Sequence, residues 1–418
     1  MNLRQFLQGL IFFVVSFTSG TCLCAAYFGL APLNEASSIK SWVDKHPGSW
    51  WVEGEDRFLI GIDRWDPQNI PGGSRTVVIE AASSKSSLYF LQGSGPLPAD
   101  SRELIRGGRT RVIESLRPLA LRSDHHQRIR PLQPNVQLVQ KLPWVPSPLK
   151  RISSLSAAID AESWRSEVDE LSRFSRYTYG SEIEAARMLI SSRFRAMGLE
   201  VEEVSLATPR GMATNIIAKI PGRSRPDEVY VVGAHYDSTS ERPFDLAPGA
   251  EDNASGTAGL LSLARVFVDQ PPEATILFIA FSGEEQGLLG SRAWLHPWLA
   301  DGRASQIHGA FIMDMIGYSG DAELDCLLET SAATRPLLNQ IQAAHADPEL
   351  VLAESLDYWG SDHVPFLDNK VPAVLFIAND YLDYPAYHRS ADTADKIHSQ
   401  LGPKILGLIA QTIGSLAY

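Results

Sequence analysis

Four apolar runs in the second half of this 418-residue chain end in residues able to bind cations or move protons. Val229 to Ala234 leads into His235-Tyr236-Asp237-Ser238, and Ile276 to Phe281 into Ser282-Gly283-Glu284-Glu285. The run around Phe311 carries Asp314, and Ala373 to Ile377 precedes a loop holding His388. Between the first two, the segment from Gly249 to Gly256 reads as a tight loop into a helix and brings in Asp252. Two imidazoles and several carboxylates converging on one crevice repel one another unless cations bind there. Mixed His and Asp/Glu donors without a thiolate suit zinc, or its divalent neighbours, better than an iron–sulfur or copper site. Singly, these residues are ordinary. A His-x-Asp at a strand end serves local hydrogen bonding in many proteins, Glu284-Glu285 reads equally as a solvated helix start, and His363 and His388 as satisfied polar residues. Asp314 inside an apolar strand says more, because a buried carboxylate needs a partner.

The elements that must position these residues alternate along the chain after Arg151. Ala161 to Phe174, Ser181 to Met197, Ser255 to Val268, Leu288 to Leu299, Arg335 to His345 and Thr393 to Leu416 read as helices, the second ending at Gly198. Thr214 to Ile220, Glu228 to Ala234, Ala274 to Phe281, Gly309 to Met315 and Ala373 to Ile377 read as strands, most with too little alternation for a wet face. That pattern predicts an α/β fold, a mostly parallel sheet flanked by helices, with ligands at the carboxyl ends of the strands.

Residues 27 to 116 differ. Short apolar runs at Arg57 to Ile62, Thr76 to Ala81 and Ser87 to Gln92, separated by turn residues, predict a small β-rich N-terminal domain without a catalytic constellation. Trp50, Trp51 and Trp65 are better read as its core than as a ligand patch. Residues 117 to 150, with six prolines, read as an extended connector, and its His125-His126 pair as incidental to metal binding. Residues 151 to 418 form the expected catalytic domain. The first 26 residues, with Arg4, the apolar Leu10 to Phe17 and the small Cys24-Ala25-Ala26, read as a signal peptide; an uncleaved anchor is the alternative. The expected location is secreted or periplasmic. Cleavage would remove Cys22 and Cys24, leaving Cys326 without an internal disulfide partner.

Composition narrows the partners. The chain is 44% hydrophobic and 21% charged, close to ordinary globular proteins, and its formal charge of -12 argues against nucleic acid or anionic membrane as main partner. The charge is uneven: residues 27–150 hold 16 basic and 12 acidic groups, net +4, whereas residues 151–418 hold 20 and 37, net -17.

The segments HYDS at 235, PGAEDNASG at 248, FSGEEQGLLGS at 281, MDMIG at 313, SDHVPF at 361 and YHRSADTADKI at 387 together resemble the successive signatures of bacterial and fungal leucyl aminopeptidases with co-catalytic zinc. The likeness runs from about Ala161 to the C-terminus. It implies a zinc-exopeptidase fold of the phosphorylase/hydrolase type and two zinc ions sharing Asp252, with His235 and Asp314 completing one site and Glu285 and His388 the other. It further implies Glu284 as general base, Asp237 accepting from His235, a cis peptide after Asp252, and Tyr358 contacting the oxyanion, although the surrounding Asp357-Tyr358-Trp359-Gly360 lacks the cysteines that flank that tyrosine in one branch. The implied activity is an exported aminopeptidase acting through a zinc-bridged hydroxide on peptides with a free N-terminus. Two alternatives share the scaffold: a glutaminyl cyclase with one zinc, and a non-catalytic peptidase-like binding protein.

Overall fold

The computed structural model describes residues 27–62, 78–81, 87–146 and 153–418; the leader and Trp65 lie outside the described residues. The chain divides into two compact units. One takes residues up to Leu91, Pro96–Arg122 and Ile129–Gln137; the other takes Gln92–Gly95, Ser123–Arg128 and Leu138–Tyr418.

Numbered in chain order, β1 (Tyr27–Pro32), β2 (Trp50–Glu53), β3 (Arg57–Ile62), β4 (Val78–Ala81) and β10 (Val136–Gln137) form one five-stranded sheet, in the order β10-β2-β3-β1-β4. A second has the order β6-β7-β5-β9-β8, from β5 (Ser87–Gln92), β6 (Ser101–Gly107), β7 (Thr110–Ser115), β8 (Arg122–Ser123) and β9 (Arg128–Pro131). Trp50 is buried and Trp51 packs against the cluster of Ile39, Trp42, Phe58 and Ile60, which is the use as core expected of them. The stretch 117–150 is not simply the connector its prolines predict. Those residues supply β8, β9, β10 and β11 (Gln140–Leu142), and they are shared between the two units. Proline is tolerated at strand ends and edges, and Pro131 is the last residue of β9 while Pro143 follows β11.

The second unit is built on a nine-stranded sheet ordered β11-β18-β17-β19-β16-β14-β15-β13-β12. Its strands are β12 (Glu200–Thr208), β13 (Gly211–Ile220), β14 (Arg225–His235), β15 (Ala274–Phe281), β16 (Ile307–Met313), β17 (Leu324–Glu329), β18 (Leu350–Ser355) and β19 (Ala373–Ala378), together with β11. Parallel pairs join β14 to β15 and to β16, and β16 to β19; the flanks β12/β13, β13/β15, β17/β19 and β11/β18 are antiparallel. Strand order therefore reverses at β14, with β15 on one side and β16 on the other. Such a switch point opens a crevice at the carboxyl ends of the strands.

Helices Ala161–Leu171, Ile183–Ala196, Gly256–Val268, Leu289–Ala300 and Arg335–Ala344 match the expected ones to within a few residues. The last differs: residues 394–396 form a 3-10 turn and the helix runs from Leu401 to Ala417, because Pro403 fits only a first turn. Helix Gly256–Val268 is buried along nearly its whole length, so its apolar residues face neighbours on every side. At Gly256 a Cβ would lie 2.4 Å from Asn253 Oδ1 and 2.7 Å from the Met313 carbonyl oxygen, so only glycine lets the loop before this helix close against β16.

One strand carries a pH-dependent weakness. Asp325 on β17 is 6% exposed; burial, reinforced by Asp380, Glu323 and Asp321 and opposed by the Asn379 amide, pushes its carboxyl up to about 7. An acid whose folded value exceeds its unfolded value of about 3.9 is protonated more readily in the folded state, so stability falls as pH rises from about 4 to 7. Asp325→Asn is expected to raise the unfolding midpoint at pH 8 by roughly 2–5 °C and to change it little at pH 4.5. Calorimetry at the two pH values checks this; equal shifts would remove Asp325 from the account.

Candidate metal centre

The carboxyl ends of β14, β15 and β16 deliver His235, the Glu284-Glu285 pair and Asp314 to one buried crevice. Asp252 enters from the loop before helix Gly256–Val268, and His388 from the segment after β19. His235 Nε2 lies 3.3 Å from Asp314 Oδ1 and 3.4 Å from Asp252 Oδ1. His388 Nε2 lies 3.1 Å from both Asp252 Oδ2 and Glu285 Oε2. Each Asp252 oxygen thus faces a different imidazole.

Loop geometry explains why these atoms meet. Gly249 adopts a left-handed φ of 52°, and the following Asp252-Asn253 peptide is cis. Asp392 receives the N–H groups of Glu251 and Asp252 at 2.9 and 3.0 Å, and Asn253 donates to the Met313 carbonyl, tying the loop to the strand that leads into Asp314. Arg176, fully buried, donates to the carbonyls of Tyr236 and Gly249 at 2.8 and 2.7 Å and to those of Leu171 and Pro248. His388 has a φ of 53°, a left-handed conformation uncommon outside glycine, and its ring stacks on Tyr387 at 3.7 Å.

Asp237 acts differently from expectation. The nearest acceptor to His235 Nδ1 is the Asp237 backbone carbonyl at 3.1 Å, whereas its carboxylate is 3.8 Å away. That carboxylate instead accepts from Thr178 Oγ1 at 2.8 Å and from the N–H groups of Glu284 and Glu285 at 3.3 Å, fixing the turn that bears them. Tyr358, expected near the oxyanion, donates its hydroxyl to Asp368 at 3.2 Å. His363 is buried with Nε2 3.3 Å from Glu329, whose carboxylate also accepts the Trp359 N–H, which is a structural role. Sequence reasoning gave no role to Ser361, which donates to Asp314 Oδ2 at 2.7 Å, nor to Arg176 or Asp392.

Electrostatics favour a cation here. Burial, offset by His235 but reinforced by Glu285, Asp314 and Asp362, holds Glu284 well above the usual carboxylate range. Burial pushes Glu285 up to about 7, with His388 opposing and Asp252 adding to the rise. Burial alone would depress His235, but Asp314 and Glu284 carry it well above its ordinary value. Both Glu285 oxygens are buried with no hydrogen-bond donor of good geometry. Zinc bonds of 2.0–2.2 Å set the edges of a tetrahedron at roughly 3.3–3.6 Å, close to the donor separations around each imidazole. The residues present therefore fit zinc, with Glu284 outside both candidate donor groups.

His126 also reaches this crevice, contrary to the reading of the His125-His126 pair as incidental. One ligand atom each of His126, Glu285 and His388 lie within 4.8 Å of one another, and the same holds for His235, Asp252 and Asp314. Burial, then the neighbouring His388 and His125, pushes His126 down to about 3, so its imidazole is neutral.

The switch-point α/β sheet thus holds two His/carboxylate groups whose donors could each take a divalent cation. Residues 215–413, within the second unit, match the model of peptidase family M28. A "Probable zinc metalloprotease" of Phaeosphaeria nodorum is 29% identical over 261 residues, covering 49% of this chain and 52% of that protein. Aminopeptidase YwaD of Bacillus subtilis is 34% identical over 188 residues, covering 44% of this chain and 40% of that protein. The match spans only a quarter to a half of the length of these curated relatives and others like them. Among solved structures, the LapA aminopeptidase of Legionella pneumophila has a TM-score of 0.58 at 17% identity, covering 79% of this chain and 98% of that one. An Acidobacteriales bacterium glutaminyl cyclase has a TM-score of 0.51 at 23% identity, covering 66% and 99%. At these identities the structural likeness speaks for the fold alone.

Proposed function

We propose that the chain is a di-zinc aminopeptidase that removes N-terminal residues from peptides. The observation carrying this reading is Asp252, whose two oxygens face one imidazole each, beside a Glu284 that belongs to neither donor group. His235, Asp252 and Asp314 would hold one ion, and Asp252, Glu285 and His388 the other. When bound, zinc polarises a carbonyl and makes water acidic near neutral pH. Glu284, its affinity for a proton raised by burial, accepts the proton of the attacking water and returns it to the leaving amine. Asp237 keeps Glu284 aimed by holding its N–H, and Ser361 orients Asp314. A second donor group around His388 favours this over a one-zinc glutaminyl cyclase, and retention of Glu284 favours it over a binding protein without catalysis. Residues 1–26 would direct the chain to a secreted or periplasmic location, an assignment that N-terminal sequencing of the mature protein tests.

The purified chain should hydrolyse aminoacyl anilides, lose activity to a chelator and regain it with zinc. Glu284→Gln should lower turnover by roughly 10²–10⁴-fold while zinc content stays near two per chain. No turnover across an anilide panel with zinc bound would overturn the aminopeptidase reading, and near-normal activity of the variant would remove Glu284 from the chemistry.

A further inference from the structure

The loop 123–128 is fastened beside the metal donors by contacts that no leader or connector requires. Trp359 Nε1 donates to the Asp124 carbonyl at 2.8 Å, and His125 Nε2 donates to the Glu285 carbonyl at 2.8 Å. Asp124 Oδ1 accepts from the N–H groups of His126 and Gln127 at 3.0 and 2.9 Å, closing a tight turn. Arg128 pairs with Asp357 at 3.5 Å, and a Cβ at Gly93, in the bend after β5, would lie 2.6 Å from the His126 carbonyl oxygen, so only glycine there leaves the loop enough room. The effect is to set the His126 ring edge-on to that of His388, centroids 5.0 Å apart at 85°. Its ligand atom lies within 4.8 Å of those of Glu285 and His388, whereas the donors of a tetrahedral zinc site lie roughly 3.3 Å apart, so zinc binding would draw the three together. The Glu285 carboxylate there is buried, with His388 Nε2 3.1 Å from its Oε2.

We propose that His126 is a further metal ligand, completing the Glu285/His388 position. This rests on the di-zinc reading above. With Asp252, Glu285, His388 and His126 the ion has four protein donors, the complement of a closed zinc site, whereas a catalytic site keeps one position open. The loop 123–128 therefore acts as an internal stopper: the position opens to water or substrate only when His126 leaves. The His125 bond to the Glu285 carbonyl couples that departure to the strand end carrying the general base.

The test uses the full chain, loaded with zinc, as wild type, His126→Ala and His126→Gln. X-ray absorption should show one fewer imidazole per chain in both variants, and competition with a chelator should show one of the two zinc ions held at least about tenfold more weakly. With zinc in excess, anilide turnover should rise above that of the wild type, because the position that His126 closes is then open to water, and no rise would overturn the stopper role. Unchanged coordination and zinc affinity in the variants, with two zinc ions in the wild type, would overturn the His126 assignment and leave the di-zinc reading standing. A drop in turnover with coordination unchanged would overturn it too, making His126 a substrate contact. A wild-type chain that binds no zinc would overturn both.

Discussion

An Asp252→Asn chain is expected to fold, to hold one zinc ion or none in place of two, and to lose turnover by roughly 10⁴-fold or more. The substitution keeps size and shape, so the contacts of the 249–256 loop survive. An amide, however, presents one oxygen and one NH2 group, and the latter repels a cation. Asp252 Oδ1 faces His235 and Oδ2 faces His388, so whichever way the amide lies, one donor group loses its carboxylate oxygen. The lost negative charge matters as well, because it would offset the positive charge of ions bound inside a buried crevice. Metal analysis and anilide kinetics on one preparation check both parts. Two zinc ions and a rate within tenfold of wild type would show that Asp252 does not join the sites.

The second large effect is on stability. Arg176 is buried among backbone carbonyls of Leu171, Tyr236, Pro248 and Gly249, and burial, opposed by Asp392, Asp237 and Asp252, lowers it to about 10, so it stays charged at neutral pH. Arg176→Met keeps most of the volume and removes every donor. At roughly 1–3 kcal/mol for each buried acceptor left without a partner, the loss reaches several kcal/mol, a large part of the about 5–15 kcal/mol that stabilises a typical domain. Urea unfolding of the zinc-free chain isolates this effect from metal binding. A midpoint within experimental scatter of wild type would mean that water replaces the guanidinium. Because Tyr236 follows His235 and Gly249 opens the loop to Asp252, the surviving folded fraction should also bind zinc less tightly.

The parts of this architecture that announce themselves in the sequence are those buried on both faces. β15 is Ala-Thr-Ile-Leu-Phe-Ile-Ala-Phe with every residue buried, and β14, β16 and β19 are nearly as continuous, so their polar ends stood out at once. The flanking strands do not. β12 is half exposed and studded with glutamates, and β17 and β18 are six residues each and carry acids, so neither periodicity nor apolar length marks them. The candidate ligands were legible because a carboxylate or imidazole at the end of an apolar strand is costly without a partner. Arg176 and His126 were not, since nothing local distinguishes them: Arg176 sits in a polar turn after a helix, and His126 lies between prolines far away in the chain. Asp237 was singled out for the right neighbourhood, but its carboxylate serves the Glu284-Glu285 turn, a preference set by where that turn's N–H groups point.

The edge strand β11 has a practical consequence for anyone handling this chain. It pairs Gln140–Leu142 with Glu354–Leu352 and so covers the outer backbone groups of β18. A shortened chain starting at Arg151, where the composition changes, would leave that rim of amide and carbonyl groups open to other molecules, a template for self-association into aggregates. The same shortening would discard the loop 123–128. Production of a well-behaved catalytic fragment should therefore begin upstream of both.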